Sequence, residues 1–465
     1  MQWTEPDRPF ILVRNQGQAK PERRRVQTSH HPAARYAAPA RRPSSASRNA
    51  SQLWSNELRK WEFFLLQGAV FLAPYISFRH PAIYITISDA LFAGAFCLRL
   101  ATGRMMPPFA NLTWLWLLGL FMLTGGLFFS SMFHGDMARC LVLIAQYCFA
   151  YLIVPLVLLR RPEDQVIRLI KCGVWGMVAM CAIGIAIYLT GWYSMSRGQM
   201  AVITGSRRLA GFVDNPNAMA VLTVMTLPLV WFLLLSRQWR PPVALLCLGL
   251  LVYGIILTSS NTGLYSMIAA TLIFFGGRRN FKTLLVVGAL GIAALTFGQD
   301  YMPQKFQERV LGAINSGDIS GAGTFEDRQE LNMEALTLAD DNLIIGMGAD
   351  QYRVVSQYGH PVHNLYLLLL NEGGGLSLLG YMVILGVPIL AGIFAWRLPH
   401  GKLIFLTIFT TVVVFANAVM GVPHVYGRAW FLFIFLAASP ALISYGAVAP
   451  RPGRAAGGPM PSSGP

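Results

Sequence analysis

Polar residues able to do chemistry gather in this chain where they meet the ends of apolar runs. The clearest case is Gly359-His360-Pro361-Val362-His363-Asn364-Leu365-Tyr366, which continues through Leu367–Leu370 into Asn371-Glu372-Gly373-Gly374-Gly375 and a long apolar stretch. It brings an imidazole and an amide to the mouth of a membrane span, and polar groups held there mark function. An imidazole titrates near neutral pH, which makes His363 a candidate general base. His360 and His363 have a spacing that a metal could use, but no third ligand is fixed by spacing, and Pro361 disturbs the turn that would align the rings. His80, His134 and His424 are expected on the same face. A second cluster is basic: Arg207 and Arg208 lie in the turn Ser206–Asn217, just before an Asn-Pro-Asn helix start, and Arg328 lies further on. Guanidinium groups bind phosphate through paired hydrogen bonds and keep their charge, so two or three converging at a membrane boundary would seat a pyrophosphate. The alternative is ion pairing with Asp214, Glu326, Asp327 or Glu330.

The elements that must position these groups are membrane helices. Hydrophobic residues make up 54% of the chain and charged residues 12%. Apolar runs of roughly twenty residues recur, each long enough to cross about 30 Å of hydrocarbon. Twelve candidate spans fall near 61–78, 82–100, 110–130, 140–159, 172–190, 217–235, 242–258, 263–277, 283–299, 374–396, 403–420 and 429–446. The fold class expected is therefore all-α, a polytopic integral membrane protein. The formal net charge of +16 does not point to nucleic acid, because much of it lies in the N-terminal stretch and in the short loops on one side of the spans. That bias places both termini in the cytoplasm. Residues 1–58 read as a disordered basic cytoplasmic tail, 59–446 as the membrane domain, and 447–465 as a second cytoplasmic tail.

Two external segments are long, 191–216 and 300–362. The larger should hold a helix capped by Thr324, with Asp327 three residues on and apolar Leu331, Met333, Ala335, Leu336 and Leu338 turned to the membrane surface or to the bundle. Asp89, Gln146, Asn261, Asn417 and Glu372 fall within spans and should face the bundle interior. Gly373, Gly374 and Gly375 permit a break that would set the His363 segment apart as a short helix. Cys97, Cys140, Cys148, Cys172, Cys181 and Cys247 lie in or beside spans, so no disulfide framework or thiolate metal site is indicated.

The order of a turn with Arg207, Arg208, Gly211-Phe212 and Asn215-Pro216-Asn217, then Ser260-Asn261-Thr262-Gly263, Arg328, Gly346-Met347-Gly348, His363-Asn364-x-Tyr366-Leu367 and Glu372-Gly373 resembles the O-antigen ligase family. The resemblance covers roughly residues 200–395. It implies a fold similar to membrane glycosyltransferases of type C, and transfer of a glycan from undecaprenyl pyrophosphate to an acceptor sugar hydroxyl on the periplasmic face of the bacterial inner membrane. No metal and no cofactor would be needed, and the partners would be the lipid-linked donor, a glycan or lipid A-core acceptor and membrane lipid. The roles it implies are His363, Arg208 and Arg328 in catalysis, with Arg207, Asn217, Asn364, Tyr366, Glu372, His424 and Arg428 contacting substrate. Gly374 fits a glycine position of the ligases, while Ser377 departs from the Gly, Thr or Tyr that they carry three residues later. A polysaccharide polymerase of the same family is the alternative. A lipid-linked glycan flippase is the rival from another class, although a carrier should show two matching halves and none is evident.

Overall fold

The structure, a computed structural model, describes residues 45–79, 85–192, 201–298, 302–312, 325–421 and 428–443. Two compact units are distinguished, Met1–Ser51 and Gln52–Pro465. Of the first, only its helical end is described, and the C-terminal stretch expected as a tail lies outside the described residues. Helix already begins at Ser45, inside the stretch expected to be a tail up to residue 58.

The helices fall on the twelve apolar stretches. In chain order they are α1 (Ser45–Leu72), α2 (Ile87–Ala101), α3 (Thr113–His134), α4 (Met137–Leu158), α5 (Glu163–Thr190), α6 (Pro216–Leu235), α7 (Pro241–Thr258), α8 (Asn261–Gly277) and α9 (Phe281–Phe297). After a more polar segment, which carries α10 (Phe325–Asn342), come α11 (Leu365–Phe394), α12 (Gly401–Ala418) and α13 (Arg428–Ala438). Among the described residues, seven helices are long and apolar enough to cross a membrane, those built on α3 to α7, α11 and α12. The protein is thus an all-α integral membrane protein. Helix α6 is its centre: 89% of its apolar stretch is buried, against 33% for α3.

Alternate helices begin at one end of the bundle, and polar caps mark that end. Thr86 and Asp89 form a reciprocal capping box on α2, Asp136 caps α4, Asn215 followed by Pro216 opens α6, Ser260 caps α8 and Asn364 caps α11. Each cap supplies an acceptor to backbone N–H groups that lack a helical partner. Cross-links tie the same end together. Ser77 Oγ donates to Asp214 at 2.5 Å, the Leu209 N–H donates to the Leu257 carbonyl at 2.9 Å, and the Leu365 N–H donates to the Val419 carbonyl at 2.9 Å.

Helices α3 and α11 pack backbone against backbone. A Cβ on Gly380 would stand 2.4 Å from the Leu123 nitrogen and 2.6 Å from the Gly119 oxygen, so only glycine lets these backbones meet. Further along, Gly374 has φ +69° and ψ −176°, a conformation that breaks α11 into two arms. The break anticipated at the three glycines is therefore real, and Leu365–Gly373 forms the short arm that follows His363.

Candidate active site

The site grows from the turn before α6. Ile203 and Leu209 pair as an isolated antiparallel bridge, the Thr204 N–H donates to the Arg208 carbonyl at 2.9 Å, and Arg207 at the tip has φ +55°. This tight hairpin sends its two arginines to different places: Arg207 is exposed, whereas Arg208 is buried. Arg208 Nε donates to the Thr258 carbonyl at 2.8 Å, at the end of α7, and Nη2 donates to Asn217 Oδ1 at 2.9 Å, in the first turn of α6. Those two bonds fix the plane of the guanidinium fork.

Three cationic groups converge here. Burial first, then the charges of Arg309 and Arg328, push the Arg208 guanidinium down to about 10. Arg328, on the first turn of α10, is likewise held below its ordinary range by burial and then by Arg309. It reaches toward the end of α12, with Nη1 3.7 Å from where a Cβ on Gly421 would stand. His363 sits just before the head of α11, and its imidazole is lowered from its usual value by burial, then by Arg328, then by His360. His363 Nδ1 is buried without a hydrogen-bond partner among the described residues. An orphaned buried nitrogen costs on the order of 1–3 kcal/mol unless a ligand or water meets it.

Three described acids of these segments make contacts of their own. Asp214 accepts from Ser77 and lies 3.7 Å from Arg79, Glu330 accepts from the Tyr358 hydroxyl, and Glu334 accepts from the Tyr352 and Ser356 hydroxyls. The side chains of Glu326 and Asp327, and the expected cap Thr324, lie outside the described residues. Like charges crowded in a half-buried space are what an anion-binding site provides before its ligand arrives.

Helix α10 carries Arg328 and is seated by Leu331 and Ala335, which pack with Met347, Tyr352, Val362 and Leu368 as a small separate core. Met333 and Leu336, expected to help seat it, are 58% and 50% exposed. Glu334 reinforces the seat by also accepting the Gln357 N–H at 2.8 Å. One polypeptide stretch, 346–352, then joins this subdomain to the break in α11. The Met347 N–H donates to the Asn371 carbonyl at 2.8 Å, and the buried Glu372 carboxylate accepts from the Tyr352 N–H at 3.4 Å.

Of the residues expected at the site, Arg208, Arg328 and His363 are brought together, and Asn217 orients Arg208. Asn364 serves the helix instead, its Oδ1 accepting the Tyr366 and Leu367 N–H groups as a cap. The Tyr366 hydroxyl donates to the Ala416 carbonyl at 2.9 Å, locking α11 to α12. Glu372 belongs to the joint described above. Arg428 is paired through Nε and Nη2 with the Asp89 carboxylate and lies over the Phe149 ring. This pair joins the starts of α2 and α13, and it explains the acid expected inside a span. His424 and His80 lie outside the described residues. Arg309 joins the cluster without having been foreseen; it sits in a short polar turn whose sequence carries no motif.

Fold and site define a membrane-embedded helical protein with a basic, partly buried cluster of side chains and an imidazole beside it. Residues 245–382 match the O-antigen ligase family model, the family that the motifs resemble. The matched stretch contains Arg309, Arg328, His363 and Glu372 and leaves Arg208 outside it. It supports a membrane enzyme of the O-antigen ligase or polymerase type. No curated protein matches the chain.

Proposed function

We propose that this protein transfers a glycan from undecaprenyl pyrophosphate to an acceptor sugar hydroxyl, as an O-antigen ligase, at the periplasmic face of the bacterial inner membrane. The observation that carries the reading is the convergence of Arg208, Arg309 and Arg328 beside an imidazole held neutral by its surroundings. His363 takes the proton of the acceptor hydroxyl, whose oxygen attacks the anomeric carbon. The bond from that carbon to the pyrophosphate oxygen breaks, and the electron pair leaves on the phosphate. The guanidinium groups stabilise the charge that develops there, in place of a metal ion. All twelve helices cross the membrane in this reading, with both termini cytoplasmic and the segment 300–362 periplasmic.

The test is purified protein in liposomes given lipid-linked glycan, a chelator of divalent metals, and either lipid A-core oligosaccharide or no added acceptor. A glycan joined to the core supports the ligase. Lengthened lipid-linked chains without acceptor would make it a polymerase, and product that forms only when magnesium or manganese is restored would overturn the mechanism.

A further inference from the structure

Between α10 and the joint with α11, three large aliphatic residues follow one another with their side chains turned outward: Leu343, Ile344 and Ile345, 57%, 85% and 46% exposed. A run of this kind on a water-facing loop would be a liability, and it is not a floppy one. The Leu343 carbonyl accepts the Gly375 N–H at 2.7 Å. A Cβ on Gly374 would stand 2.5 Å from the Ile344 oxygen, and one on Gly346 would stand 2.3 Å from the Glu372 oxygen. The tripeptide is thus pressed by its backbone against a helix apolar and long enough to span a membrane.

Its neighbours carry the same surface onward. Phe129, Met132 and Phe133 at the end of α3, and Leu376 and Leu379 on the long arm of α11, are all exposed. His134, which ends α3, lines one open groove together with Leu343, Ile344 and Ile345. The exposed apolar residues of two spanning helices thus lie at the same end as the tripeptide, with His134 at the end of α3 lining the groove beside it. Asp340 and Asp341, separated from it by Asn342, are exposed charges of the kind that stay at the headgroup boundary.

We propose that Leu343–Ile345 is a wedge that enters the acyl chains of the lipid leaflet at the site end of the bundle, anchoring the subdomain that carries Arg328. Burial of a compact apolar edge just beneath the headgroups is the usual way a surface element is held to a bilayer. This inference rests on the membrane fold alone and stands whether or not the chain transfers glycans.

The experiment places a nitroxide on Ile344→Cys in the full-length protein, in a background where the exposed Cys97 is replaced by Ser, and reconstitutes it in phospholipid vesicles. Collisions with oxygen, which concentrates in hydrocarbon, are compared with collisions with a water-soluble nickel chelate. Phe121→Cys, 70% exposed on α3, gives the lipid reference, and Gln357→Cys on the same subdomain gives the water reference. The expected result is an oxygen-to-nickel ratio at Ile344 shifted to that of Phe121, with Leu343→Cys repeating it. A ratio equal to that of Gln357, or low collision with both reagents as beneath a protein partner, overturns the proposal. Retention of the wild-type thermal transition by each labelled variant establishes that the folded protein is being read.

Discussion

At the scale of single residues, two adjacent arginines with the same charge have unlike surroundings. Replacing Arg208 by Lys keeps a cation but removes the fork held by Thr258 and Asn217, and a charged hydrogen bond is worth about 1.5–3 kcal/mol, so kcat/KM for transfer should fall roughly 10- to 150-fold. Arg207→Ala, at the exposed tip, should leave it nearly unchanged. Steady-state kinetics on the two variants decide the matter, and equal losses would refute the assignment. His363→Ala should lower kcat by about 10²–10⁴, the usual worth of a general base, while the protein still reaches the membrane. The pH profile has a definite sign. His363 must be neutral to accept a proton, and its pKa is depressed, so kcat/KM should hold as pH falls and drop only below the ordinary imidazole value of about 6.5. Arg328→Gln removes the second of the causes that depress it, so in the residual activity that limb should move upward. The position of His363 was legible because a polar group at the head of an apolar run stands out, whereas Asn364, expected to contact substrate, caps the helix there. The choice between Arg207 and Arg208 was not, because it is made by the turn's left-handed residue. Arg309 was invisible for a similar reason: only tertiary contact brings its turn to the site.

At the scale of elements, the break at Gly374 divides α11 into a short arm that follows His363 and a long arm that packs on α3. Gly374→Val would force a side chain into a conformation that only glycine tolerates and into the Ile344 carbonyl. The backbone term alone is about 1–3 kcal/mol. A lowered thermal transition in detergent, with activity lost in parallel, is the expected outcome. Three consecutive glycines in an apolar run made this break readable from the sequence. The Asp89–Arg428 pair was not readable, because its partners are far apart in the chain: Asp89 was expected only to face the bundle interior, and Arg428 to contact substrate. Removing one partner of a buried ion pair costs about 3–5 kcal/mol, and replacing both with apolar residues often costs little. Asp89→Leu should therefore destabilise the protein strongly, and Asp89→Leu with Arg428→Met should recover most of the loss in a denaturation assay.

At the scale of the whole molecule, each apolar run coincides with a helix among the described residues, because burying a backbone in hydrocarbon leaves few other solutions, while the polar α10 had to be read from its cap and spacing. Which ones cross is a question of sidedness, and it has a direct reading. In intact cells, a thiol introduced by Gln357→Cys should react with a membrane-impermeant maleimide, while one introduced by Arg240→Cys should react only after lysis. The reverse pattern would invert the topology. The crowding of Arg208, Arg309 and Arg328 also has a kinetic side. In the proposed reaction, a seat that steadies the departing diphosphate would grip the spent carrier lipid just as firmly once the sugar has left. Turnover should then begin with a fast first cycle and settle to the pace at which that polyprenyl product escapes, and inorganic pyrophosphate should compete for the vacated place.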